Sequence, residues 1–222
     1  MDDAQALFES IRTGDTGKVR ELVGANAGLV NARNPQMQSA VLMACYQGRK
    51  EIRDLLIEKG ATLELHEAAA AGNLTRVKEL VEAKPELATS YSPDGFPVMA
   101  LAAAFGHEDV ARFLQAKGAD INAVATNGTG YTALTGAVAS GQASIARWLA
   151  EGGADVNHRY AKGHSALLEA AANGKLEIVK TLVAHGADSH MRTEGGKNAL
   201  NFAQERGHDE VAKYLLELGL TS

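Results

Sequence analysis

Apolar residues recur along this chain in short stripes at helical spacing, always in pairs. In Leu176–Val183 the positions Ile178, Val179, Leu182 and Val183 line one face of a helix. The same pattern returns as Ile52, Leu55 and Leu56; Val77, Leu80 and Val81; Val110, Phe113 and Leu114; Ile145, Trp148 and Leu149; and Val211, Tyr214 and Leu215. Before each stripe lies an alanine-rich segment that closes on a glycine. Gly14, Gly48, Gly72, Gly106, Gly141, Gly174 and Gly207 each stand seven residues after Leu7, Val41, Leu65, Met99, Leu134, Leu167 or Leu200. The intervals between these glycines are 34, 24, 34, 35, 33 and 33 residues. A period of that length predicts about seven copies of one two-helix unit, none able to bury its apolar face alone.

The clearest copy predicts how each unit is built. Ser165 is placed to cap the first helix, the run Ala170-Ala171-Ala172 favours it, and Gly174 ends it in the left-handed conformation. Gly186 ends the second helix, and the chain then runs into a loop. With these helices, the segments Gly118-Ala119-Asp120-Ile121-Asn122, Gly153-Ala154-Asp155-Val156-Asn157 and Gly186-Ala187-Asp188, and the pairs Gly106-His107 and Gly207-His208, the chain resembles ankyrin repeat proteins over almost its whole length.

That resemblance implies an all-α solenoid of stacked helix-turn-helix units with short β-hairpin fingers. The chain reads as one domain, 1–222, with repeats at about 1–32, 33–60, 61–88, 89–121, 122–156, 157–189 and 190–222, the first and last acting as caps. The family's Thr-Pro-Leu-His segment is replaced here by Ser39-Ala40-Val41-Leu42, Thr132-Ala133-Leu134-Thr135, Ser165-Ala166-Leu167-Leu168 and Asn198-Ala199-Leu200-Asn201. Most copies therefore lack both the pre-organising proline and the hydroxyl-to-histidine hydrogen bond that the motif implies.

The one short interval removes a finger. After Gly60-Ala61-Thr62 the chain enters the next first helix at Leu65-His66-Glu67, so the groove is expected to be interrupted there. The flanking blocks match at an offset of 58 residues, Lys18-Val19-Arg20-Glu21-Leu22-Val23 with Arg76-Val77-Lys78-Glu79-Leu80-Val81, as if a two-repeat block were duplicated.

Composition narrows the partners. A net charge of -5 and a pI near 5.8 argue against a nucleic-acid surface. No stretch approaches the roughly 20 apolar residues that span a bilayer, and Met1-Asp2-Asp3 is acidic where a secretory signal is basic. A cytoplasmic monomer is expected, and the single Cys45 agrees with a reducing compartment.

Chemistry is sparse. Cys45 takes the place of an inward alanine, so a small buried hydrophobe is expected. His66, His107, His185 and His208 fall where the repeat motif itself often has histidine and read as structural. His158, His164 and His190 lie in the loops of repeats six and seven, but no pair has the spacing of a recognised zinc site. Gly128-Thr129-Gly130 lacks the third glycine of a dinucleotide loop. No enzyme, cofactor or metal is therefore expected, and a metal or small-ligand binder using the loop histidines is the remote alternative.

A partner surface remains. In the fold implied by the resemblance, the fingers and the exposed side of the first helices line a concave groove. Phe96, Phe105 and Tyr131 then fall in adjacent repeats beside small residues, with Tyr46 and Asp94 near them. Such aromatics serve as interface anchors, although finger aromatics also fold back on their neighbours. Farther along, Arg159, Lys162, His164 and Lys197 belong to a basic edge suited to an acidic partner. The reading is a protein-protein interaction module whose partner the sequence leaves open, or alternatively a regulatory or inhibitory subunit of an enzyme.

Overall fold

The computed structural model describes residues 2–221, and the described residues form seven pairs of short helices. The pairs are α1 (Asp3–Thr13) and α2 (Thr16–Ala25), α3 (Ala40–Tyr46) and α4 (Lys50–Glu58), α5 (Leu65–Ala71) and α6 (Leu74–Ala83), and α7 (Val98–Ala104) and α8 (Glu108–Ala116). They continue as α9 (Ala133–Ala139) and α10 (Ala143–Glu151), α11 (Ala166–Ala172) and α12 (Leu176–Ala184), and α13 (Ala199–Glu205) and α14 (Asp209–Glu217). First helices pack on first helices, forming one layer, and second helices form the other. One core runs the length of the stack, from Leu7 and Ile11 through Leu114, Leu134 and Leu149 to Leu200 and Leu215. Alanines such as Ala102, Ala137 and Ala170 let the first helices approach closely. The all-α repeat solenoid is thus as the periodicity predicts.

All seven period glycines take positive φ, between 63° at Gly48 and 87° at Gly106. Two of them are held by sterics as well. A Cβ on Gly72 would lie 2.3 Å from the His107 ring, and one on Gly174 would lie 2.5 Å from His208. Those rings cross to the preceding repeat, where His107 Nε2 reaches the Ala70 carbonyl and His208 Nε2 the Ala172 carbonyl, each at 3.1 Å. Arg49 does the same by donating to the Arg12 carbonyl at 2.9 Å. His107 and His208 therefore join repeats, whereas His185 Nδ1 turns to the Thr181 carbonyl of its own helix at 2.8 Å.

The departures from the family motif are repaired locally. Ser39, Thr132, Ser165 and Asn198 each accept a hydrogen bond from an N–H in the first turn of the helix that follows. In repeats five and seven the residue at the motif's histidine position returns the favour: Thr135 Oγ1 accepts from the Thr132 N–H at 2.7 Å, and Asn201 Oδ1 from the Asn198 N–H at 2.9 Å. A like-for-like pair replaces the hydroxyl-histidine bond.

The fingers are β-hairpins in their shortest form, tight loops with isolated antiparallel bridges at Arg33–Ser39, Tyr91–Pro97 and Tyr160–His164. Four of them close with one N–H to C=O bond across five residues, Asn34 to Gln38, Ser92 to Phe96, Tyr160 to His164 and Thr193 to Lys197. In repeats two and four a second bond flanks the first, from the Ala40 N–H to the Ala32 carbonyl and from the Val98 N–H to the Ser90 carbonyl, each at 3.1 Å. The 58-residue offset survives in three dimensions. Helices α2 and α6 are each 10 residues long, and each is followed by a five-residue 3-10 turn, Ala27–Asn31 or Pro85–Thr89.

Candidate partner-binding groove

Where repeat three lacks a finger, its neighbours meet. The Asp94 carboxylate of finger four accepts hydrogen bonds from Tyr46 Oη at 2.6 Å and from Gln38 Nε2 at 3.4 Å, both in repeat two. Ser92 Oγ donates to it from within the finger. Burial pushes the Asp94 carboxyl up, but these three donors outweigh it and hold it below its usual value. The groove expected to be interrupted at repeat three is therefore bridged. The base of the stack is continuous there too: the Thr62 N–H donates to Asn31 Oδ1 at 2.8 Å, the bond that Asp155 makes to Asn122 and Asp188 to Asn157. Inserting about ten loop residues after Ala61, a typical short-loop addition, is expected to part the two fingers. Tyr46→Phe, costing ~1.5–3 kcal/mol in the native chain for a bond to a charged group, should then cost nothing in the insertion variant, as read by urea denaturation.

Beside this bridge opens an apolar groove of about 310 Å³. Its floor is Ala100, Leu101 and Ala104 of α7 with Gly136 and Ala139 of α9, and its walls are Tyr46, Phe96, Phe105 and Tyr131. The floor is low because α7 and α9 nearly touch: a Cβ on Gly136 would lie 3.3 Å from that of Ala104. The aromatics do not stand free. Tyr46, Phe96 and Phe105 are half-buried against a small second core of Leu42, Cys45, Ala70 and Leu101, and Tyr46 packs on Phe105 with ring centres 5.6 Å apart. Cys45 is the buried hydrophobe expected, and burial pushes its thiol up to about 12, far from reactivity at neutral pH.

Tyr131 begins a second aromatic series. It stacks on Tyr160 at 5.1 Å, Tyr160 on His164 at 6.1 Å, and His164 on Phe202 at 5.5 Å. Tyr160 and Phe202 escape the sequence reading because they hold no common place in the repeat; an aromatic four residues before His164 was the available signal.

Much of the basic edge is already engaged. Arg159 donates to the Arg192 carbonyl and Arg192 to the Gly196 carbonyl, each at 2.7 Å, while Lys197 pairs with Glu205 at 2.6 Å. Lys162 sits at the finger tip with φ 58°, and its carbonyl accepts from the Glu194 N–H. Lys162 is exposed, as are Arg159, Arg192 and Lys197, but among the described residues no side-chain contact of the kind those three make holds its ammonium. The loop histidines do not converge: His158 Nε2 turns to the Gly130 carbonyl at 2.8 Å, His164 lies in the aromatic series, and His190 is exposed.

A different titratable cluster lies at the start of α5. Without a finger, the helix begins one residue later than its counterparts. Glu64 caps it, and Glu67 Oε2 accepts from the Glu64 N–H at 2.7 Å. Glu67 is 0% exposed and His66 5%. Arg33 of finger two approaches Glu64 at 3.2 Å and Glu67 at 3.4 Å.

Two layers of helix pairs, a motif-glycine period and a concave face walled by finger loops define an array of helical repeats built to present a surface. A family model described as ankyrin repeats (3 copies) matches residues 65–160 and 153–221, and the chain belongs to that family. No curated protein matches the chain. Among the described residues no helix is long and apolar enough to cross a membrane.

Proposed function

We propose that this chain is a protein-binding module that takes an apolar side chain of its partner into the groove walled by Tyr46, Phe96, Phe105 and Tyr131. Ankyrin repeats are in general protein-protein interaction modules, and the groove supports this use of the concave face here. The observation that carries it is the pairing of large half-buried aromatics with an alanine and glycine floor, which leaves a 310 Å³ apolar space open at the surface. Rigid aromatics around a small-residue floor offer contact area at low entropic cost.

In this reading the aromatics serve both roles weighed from the sequence: Tyr46, Phe96 and Phe105 pack on the second core and Tyr131 on Tyr160, and all four also line the space. Asp94 orients Tyr46, and Lys162, with His164 behind it, offers a positive rim to an acidic neighbour of the anchor. Arg159 and Lys197 contribute to that rim less than their charge implies, because each holds a protein contact. The module acts as a monomer in the cytoplasm, without catalysis and without a nucleic-acid surface.

A photo-crosslinking residue placed at Tyr131 or Ala139 is expected to trap one major partner in cells. The same residue at Glu177, exposed on α12, is expected to trap none. Equal trapping from both faces would remove the groove from this role.

A further inference from the structure

The buried pair His66 and Glu67 is incompletely satisfied. His66 Nε2 and Glu67 Oε1 are both buried without a hydrogen-bond partner, and they face each other at 3.6 Å. That distance is too long for a hydrogen bond. It is close to the ~3.3 Å expected between two donors that each lie about 2.0–2.1 Å from one tetrahedral ion. Glu64 brings a second carboxylate; it lies 3.9 Å from His66 Nδ1, the ring nitrogen opposite the one that faces Glu67, so to share an ion on Nε2 its exposed side chain must turn, and one donor atom from each of the three residues lies within 4.8 Å of the others.

We propose that Glu64, His66 and Glu67 form a binding site for a divalent transition-metal ion of the zinc type. Imidazole with two carboxylates is a donor set suited to such ions, and a three-ligand set leaves a position for water. Repeat three has no finger of its own at the start of α5, and Arg33 of finger two flanks the buried pair in its place. The buried His66–Glu67 pair is fixed by the helix, whereas Glu64, with its side chain 61% exposed, closes the site from outside.

Arg33 is the resident competitor. Its guanidinium lies near both carboxylates, yet it leaves Glu67 Oε1 without a hydrogen bond, and its other nitrogen is committed to the Met37 carbonyl at 2.9 Å. An ion entering the site must displace Arg33 from Glu67 and break its hydrogen bond to Glu64 at 3.2 Å, leaving the bond to the Met37 carbonyl to hold the guanidinium in the finger.

The test is titration of chelator-treated full-length protein with Co²⁺, followed by visible absorption, and with Zn²⁺ as competitor. The expected result is saturable 1:1 binding with the intense bands of a low-coordinate site, reversed by Zn²⁺. His66→Ala and Glu67→Gln should each weaken it by at least ~100-fold, above the 10–100-fold loss typical of outer partners. Arg33→Gln should tighten binding, which a merely structural cluster does not predict, and Cys45→Ala should leave it unchanged. Should either buried variant fail to fold, Glu64→Gln at the exposed ligand carries the test, with a loss of at least ~10-fold expected. Absence of saturable binding, or binding retained in the folded ligand variants, overturns the proposal and assigns the pair to solvent.

Discussion

Replacing Gly174 with alanine is expected to destabilise the protein by ~1.5–3.5 kcal/mol, from ~1–2 for the left-handed backbone and ~0.5–1.5 for a lost hydrogen bond. The hydrogen bond is the one His208 makes to the Ala172 carbonyl, because the new Cβ would enter the space of the ring at 2.5 Å and force it aside. Gly186 is the internal comparison. It has φ 87° against 65° at Gly174, but nothing lies within 4 Å of a Cβ there. Gly186→Ala should therefore cost only the backbone share. The difference should vanish when His208→Ala is combined with each, since the ring is then gone. For a chain of this size the Gly174 variant should melt ~3–14 °C lower. Equal melting of the two glycine variants in the native background would show that the ring contact imposes no constraint.

The second large effect concerns binding. Phe96→Ala with Tyr131→Ala is expected to abolish capture of the crosslinked partner, since truncating an interface anchor costs ~2 kcal/mol or more and two of them share one groove. Stability is also expected to fall, because Phe96 packs on the second core and Tyr131 on Tyr160. Phe113→Ala separates the two effects. Phe113 is another partly buried aromatic, but it lies on α8, between Lys78 and Lys117, away from the groove. It should melt lower and bind normally. Binding lost equally in Phe113→Ala would mean that capture tracks stability, not the groove.

The fold was legible because its determinants are local and repeated. A leucine seven residues before a glycine, an alanine run and a Gly-Ala-Asp turn specify a helix pair wherever they occur, and each copy supports the same assignment. The caps Ser39, Thr132, Ser165 and Asn198 were readable for the same reason. The groove was legible only in part. Phe96, Phe105 and Tyr131 could be placed in adjacent repeats by register, but how deeply each packs depends on finger orientation, which no local motif encodes. Arg159 and Lys197 looked like free charges because their partners, the Arg192 carbonyl and Glu205, are met only when fingers and helices close on each other. Glu67 was hidden by the repeat itself. In register with the other copies His66 takes the motif position, and only the one-residue shift in the start of α5 makes Glu67 the reciprocal cap.

The Asp94 bridge changes how this array should come apart. In a linear stack each unit senses only the units beside it, and opening spreads inward from the ends one step at a time. Here Tyr46 and Gln38 tie repeat two directly to repeat four, skipping the unit between. Repeats two to four are thus expected to open as one cooperative block, with slow amide exchange across α3 to α8 until all three let go together.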